Sequence, residues 1–141
     1  MRDAAGFEIF PITADKGVRA WGRDIAEVFV AAAQGMWSLM VEPGRAQRAE
    51  MFPVAVEAAD RETLLVAWLN ELLYLHEVEG FVAADFSIQE ITDTRLRAEV
   101  WGERMDRARH PLVGHVKAAT YHLLQVRPAG GGWQAEVVLD V

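Results

Sequence analysis

Apolar residues recur at Ile25, Val28, Phe29, Ala32, Ala33, Met36 and Met40, the spacing that lines one face of an α-helix. Asp24 stands directly before this run with Glu27 three residues on, the spacing of a capping box with Asp in the cap role. Pro43-Gly44 predicts where the helix ends. A second run opens at Asp60 and carries Leu64, Leu65, Trp68, Leu69, Leu72, Leu73 and His76. Gly80 predicts its close, because glycine tolerates the positive φ of a helix C-terminus. Leucines on neighbouring faces widen the apolar arc, so this helix is expected to be sandwiched between other elements and more buried than the first.

Elsewhere the period shortens to two. Phe86-Ser-Ile-Gln alternates, Thr92-Asp93 offers a turn, and Leu96, Ala98 and Val100 share one face of a following strand, which reads as a hairpin. Tyr121 to Arg127 and Trp133 to Asp140 read as another, joined across Pro128-Ala-Gly-Gly-Gly132. Val54 and Val56 also alternate, but Pro53 restricts that strand to an edge or to its own beginning. Phe7 to Phe10 and Val18 to Trp21 are short strands flanking Thr13-Ala-Asp-Lys-Gly17. Strands joined by hairpins and mixed with two long helices predict an α+β fold with a mostly antiparallel sheet.

The 141 residues suit one domain, 1–141, with no linker, repeat or low-complexity tract. A chain of this mass folds to a surface of roughly 7,000 Å² and buries about two-thirds of what it exposes when extended. Neither disulfide nor metal is then needed to hold the fold. Zero cysteines exclude disulfide scaffolds, thiol nucleophiles and cysteine zinc sites. Met1-Arg2-Asp3 has no signal-peptide character, and no apolar run approaches the roughly 20 residues that span a bilayer. A cytoplasmic location is the expectation. A net charge of −7 disfavours a general nucleic-acid clamp, whose affinity rests on neutralising phosphates.

Phosphate loops, dinucleotide fingerprints, nucleophile elbows and His-Glu-x-x-His are all missing. Gly130-Gly131-Gly132 lacks the lysine and following helix that phosphate cradling needs, and reads as a hairpin loop. Of the four histidines, His76 reads as a helix-end or core-edge residue. His110 and His115 fall in a connector expected to be a solvated loop, and His122 begins a strand. Asp15 precedes a tight turn at Gly17, where an Asx-turn accounts for it as well as a site does. Asp140 lies on the polar face of the last strand. Grouped hard oxygen donors would suit Ca²⁺ or Mg²⁺ better than zinc, but periodicity cannot tell whether residues so far apart meet.

Five blocks, in order, resemble the archease family: Thr13-Ala14-Asp15 with Gly17; Trp68-Leu-Asn-Glu-Leu-Leu-Tyr74; Gly102-Glu103 with Asp106 and Arg109-His110; Lys117-Ala-Ala-Thr-Tyr-His122; and Val137-Val-Leu-Asp-Val141. The resemblance implies a curved, mostly antiparallel sheet packed with two main helices. It also implies a non-enzymatic activator of an RtcB-type RNA ligase, promoting guanylylation and turnover in tRNA splicing and RNA repair. Carried over by position, a divalent-metal site, most often calcium, falls on Asp15, Asp140 and the backbone or terminal oxygens of Val141. Lys117 matches the family's functional lysine. Two positions depart from the pattern: Ile12 stands where the family commonly has His, and His115 where it usually has an acidic residue.

An acidic domain of this kind would dock on a basic ligase surface by charge complementarity without gripping RNA itself. Two other classes compete. A metal-dependent hydrolase built on Asp15, Asp140 and His110 would act without any ligase. A general chaperone or metal- or small-molecule-binding domain would not be specific to one partner.

Overall fold

The computed structural model describes residues 4–141; the reading of Met1-Arg2-Asp3 lies outside them. The chain runs β1 (Gly6–Ile12), β2 (Asp15–Gly22), α1 (Ile25–Ser38), β3 (Glu50–Glu57), α2 (Arg61–Glu79), β4 (Phe81–Ile91), β5 (Arg95–Arg104), β6 (Ala118–Ala119), β7 (Gln125–Ala129) and β8 (Gly132–Asp140). All strand pairs are antiparallel, and the α+β expectation is met.

The strands divide into two sheets. One holds β1, β2, β8 and β6 in that order, with β7 also pairing β8; the other holds β3, β5 and β4. The strand containing Trp101 and the strand ending at Asp140 therefore lie in different sheets. Pro53 is on β3, which pairs only with β5 and is an edge. Such a position leaves no ladder bond for the missing N–H.

Both helices touch strands of both sheets. They are joined where the Trp68 indole N–H donates to the Phe29 carbonyl at 3.0 Å inside the core. Both helices are capped by the expected aspartates, but the capping box expected at Asp24 is only half formed, because the Glu27 carboxylate accepts the Arg23 N–H instead of that of Asp24. The Asp24 carboxylate accepts from the Glu27 N–H, and the Asp60 carboxylate accepts from the Thr63 N–H while the Thr63 hydroxyl receives the Asp60 N–H. Gly80 closes α2 at φ 64°.

Three readings of the elements are corrected. First, α1 stops at Ser38 rather than at Pro43-Gly44. Beyond it, Val41 bridges to Leu112, and the Val113 N–H bonds the Met40 carbonyl, so pairing with the connector competes with further helix. Second, α2 is not the more buried helix. Eight of the fourteen residues of α1 are buried, against eight of the nineteen of α2. Ala31, Ala32, Ala33 and Gly35 let neighbouring elements approach α1 closely, whereas α2 leaves Tyr74, Glu77 and Val78 exposed. Third, the strand read from Tyr121 begins only at Gln125. Tyr121–Leu124 is a turn with Leu123 at φ 54°, in which Tyr121, His122 and Leu123 are exposed and Leu124 is half-buried.

The hairpin between β7 and β8 turns on Gly130 and Gly131, at φ 58° and 83°. Positive φ at both central residues is the signature of a type I′ turn. The glycine run is thus a hairpin, as its composition predicts. Among the described residues no helix is long and apolar enough to cross a membrane.

Candidate metal centre

The β1–β2 hairpin fixes Asp15. Ile12 pairs with Asp15 across a two-residue turn, whose second residue, Ala14, has φ 66°. Left-handed backbone at a residue with a Cβ is disfavoured by about 1–2 kcal/mol. Gly17 follows two residues later because the Phe10 ring lies over it; a Cβ there would sit 2.2 Å from a ring carbon.

Strand register brings the end of the chain to the same place. Gly17 is opposite Val138 and Lys16 opposite Leu139, so one further step sets Asp15 opposite Asp140. By strand alternation both aspartates fall on the face that carries the Arg19–Glu136 ion pair, away from core-facing Val18 and Val137. On the other side of β8, Ala118 pairs with Asp140, and the Lys117 N–H donates to the Asp140 carbonyl at 2.7 Å. The Lys117 side chain, Asp140 and Val141 are exposed, while Asp15 is half-buried. Among the described residues neither aspartate side chain has a hydrogen bond or ion pair.

Three connector residues, Lys117, Ala119 and Thr120, are tied down on this side of β8. Lys117 is held as above. Asn70 on α2 clamps Ala119, its side-chain oxygen accepting from the Ala119 N–H at 2.8 Å and its amide donating to the Ala119 carbonyl at 3.4 Å. The Thr120 N–H and hydroxyl both donate to the Val138 carbonyl, at 3.0 and 2.8 Å. Asn70 carried no functional signal in the sequence; its role rests on a contact between a helix and an edge strand 49 positions away.

The donor set is two carboxylates with main-chain oxygens nearby, all hard ligands. That chemistry fits a calcium- or magnesium-type ion and not zinc. No group of three or more His, Cys, Asp or Glu among the described residues is arranged to hold a metal, so main-chain oxygens and solvent would have to complete any coordination.

The histidines lie elsewhere. The connector is mostly exposed, as expected, but His110 within it is wholly buried, which corrects the reading of that residue. Its Nδ1 accepts the Asp106 N–H at 2.9 Å, so its proton is on Nε2, which donates to Glu103 at 2.7 Å. Arg109 donates to both Glu103 oxygens at 2.6 and 2.8 Å, and the Gln47 N–H adds a bond at 3.2 Å. Hydrogen bonds from His110 and then Arg109 pull the Glu103 carboxyl down to a pKa of about 2. With both ring nitrogens engaged, His110 is not free to serve as a hydrolase base beside the aspartates. His76 bonds the Phe81 carbonyl at 3.0 Å, edge-on to Trp37. His115 lies 3.5 Å from Glu77.

Two antiparallel sheets around two capped helices, with an aspartate pair and a lysine gathered at one sheet end, define an α+β protein with a candidate hard-cation site. The archease protein family (MTH1598/TM1083) matches residues 7–141, and the chain belongs to that family. It is 36% identical to protein archease of Pyrococcus furiosus over 139 residues, covering 96% of this chain and 98% of that one. With protein archease of Thermococcus gammatolerans the identity is 38%, with the same two coverages. The fold is similar to the solution structure of Methanobacterium thermoautotrophicum protein 1598, with a TM-score of 0.81, 34% identity, and coverage of 96% of this chain and 99% of that one.

Proposed function

We propose that this protein is a non-enzymatic, cytoplasmic activator of an RtcB-type RNA ligase, promoting the ligase's guanylylation and turnover in tRNA splicing and RNA repair. Family membership supports the class of function. The observation that carries the site is convergence: residues 15, 117 and 140, from three separate blocks, meet at one end of one sheet.

In this reading Asp15, Asp140 and an oxygen of Val141 hold a divalent cation, Ca²⁺ by preference, which supplies a fixed positive charge at the tip. Lys117, anchored through its own N–H, presents its ammonium beside that ion. It contacts phosphate or a carboxylate where the tip enters the nucleotide region of the ligase. The acidic surface steers the approach to a basic ligase and keeps the protein off RNA.

The test is transfer of GMP from GTP to a purified RtcB-type ligase, with and without this protein, alongside calorimetric titration of Ca²⁺. Acceleration by the protein, lost with Asp140→Ala, is the expected result. No acceleration overturns the reading.

A further inference from the structure

Among the described residues, Ala14 and Leu123 are the non-glycine positions with positive φ, at 66° and 54°. Ala14 directly precedes Asp15. Leu123 lies in a turn that leaves the edge of the sheet just after Thr120, whose N–H and hydroxyl are fixed to Val138. Strained backbone of this kind gathers at functional sites, where the surrounding structure enforces it.

Within the turn Leu124 is half-buried against the core, while Tyr121, His122 and Leu123 are exposed. β6 pairs with the last two residues of β8 and β7 with its first five, so the Tyr121–Leu124 segment is pushed out from the edge between them. Its closing bond, from the Leu124 N–H to the Tyr121 carbonyl, is long at 3.4 Å. Tyr121 is 66% exposed and Leu123 58% exposed. A leucine that accepts a left-handed backbone and then points into water gains nothing within its own chain. The protein's other tyrosine, Tyr74, is also exposed and stands one helical turn from Asn70, which grips Ala119.

We propose that the Tyr121–Leu124 turn is the apolar anchor of a protein-docking surface. It would seat Leu123 and Tyr121 in an apolar pocket on a partner whose rim is basic, facing Asp15 and Asp140. Charge complementarity selects that occupant. The chain carries −7, so a second copy, a nucleic acid or an anionic membrane would each bring like charge against it. An exposed tyrosine beside an exposed apolar side chain on an acidic protein matches the aromatic enrichment and charged rim of specific interfaces. The inference rests on the ligase-activator reading and assigns it a second role: the turn supplies affinity, while Lys117 and the aspartates act on the chemistry.

Leu123→Gly is the informative variant, because glycine removes the side chain and accepts positive φ without strain. The experiment measures the concentration of this protein that half-activates ligase guanylylation, the maximal rate at saturation, and the Tm of each variant. Leu123→Gly is expected to raise the half-activating concentration at least tenfold, with the maximal rate restored at saturation and Tm unchanged or higher. Tyr121→Ala should act in the same direction. Half-activation within twofold of wild type overturns the anchor while leaving the activator reading intact. No activation by wild type overturns the activator reading and the anchor's partner with it. A wild-type dimer in sedimentation that Leu123→Gly dissociates overturns the proposal in favour of a second copy.

Discussion

One step beyond the Lys16–Leu139 pair, the register of β2 and β8 would set the Asp15 and Asp140 carboxylates opposite one another, a setting in which directly opposite Cβ atoms lie about 4.5–5.5 Å apart. Neither side chain has a cationic partner among the described residues; two carboxylates so placed would repel, and an ion between them would turn repulsion into attraction. In chelator, therefore, Asp15→Asn should be at least as stable as wild type. With Ca²⁺ at a hundredfold excess over its Kd, wild type should gain about 2.7 kcal/mol by linkage while the variant gains little. Thermal melts with and without Ca²⁺ read both effects. Glu103 is the opposite case, a carboxylate surrounded by donors. Its folded pKa of about 2 lies below the ordinary 4.5, so unfolding takes up a proton between those values. The stabilisation is whole above pH 4.5 and fades as pH falls toward 2. Denaturant titrations across that range should show this decline, and Glu103→Gln should flatten it.

At the scale of elements, the site depends on how an edge strand is held. β6 is two residues long and would fray alone, yet it carries the backbone that positions Lys117. Asn70 compensates with its two bonds to Ala119. Asn70→Ala leaves both Ala119 groups without that partner and should lower stability by about 1–3 kcal/mol. Ligase activation should fall with it, even at temperatures where the variant stays folded. The helices were legible in the sequence because their starts are local chemistry: Asp24 and Asp60 cap them within four residues. The end of α1 was not, because Val41 leaves the helix to pair with Leu112, 71 positions on. Nor was the break at Tyr121–Leu124, since nothing in Tyr-His-Leu-Leu signals left-handed backbone, and a glycine or asparagine would have. Of the candidate site, Lys117 and the grouping of the two aspartates came only through family resemblance; the turn at Gly17 singled out Asp15 and alternation put Asp140 on a polar face, but neither could bring the two together. Register did that, and register is a long-range property of the sheet.

For the whole molecule, the charge of −7, the exposed Tyr121 and Leu123, and the aspartate–lysine end are the features on which the proposed docking to a basic partner rests. A surface Lys117 without that duty would change stability by no more than about 0.5 kcal/mol when truncated. One that contacts phosphate or carboxylate across a desolvated interface would lose roughly 2–5 kcal/mol of that interaction. The measurement that reaches the central claim most directly is the initial rate of GMP attachment to an RtcB-type ligase: ligase alone, with wild-type protein, and with Lys117→Ala of equal Tm. A rate raised by wild type and returned toward that of ligase alone by Lys117→Ala is the predicted result. Equal rates in all three would contradict the account.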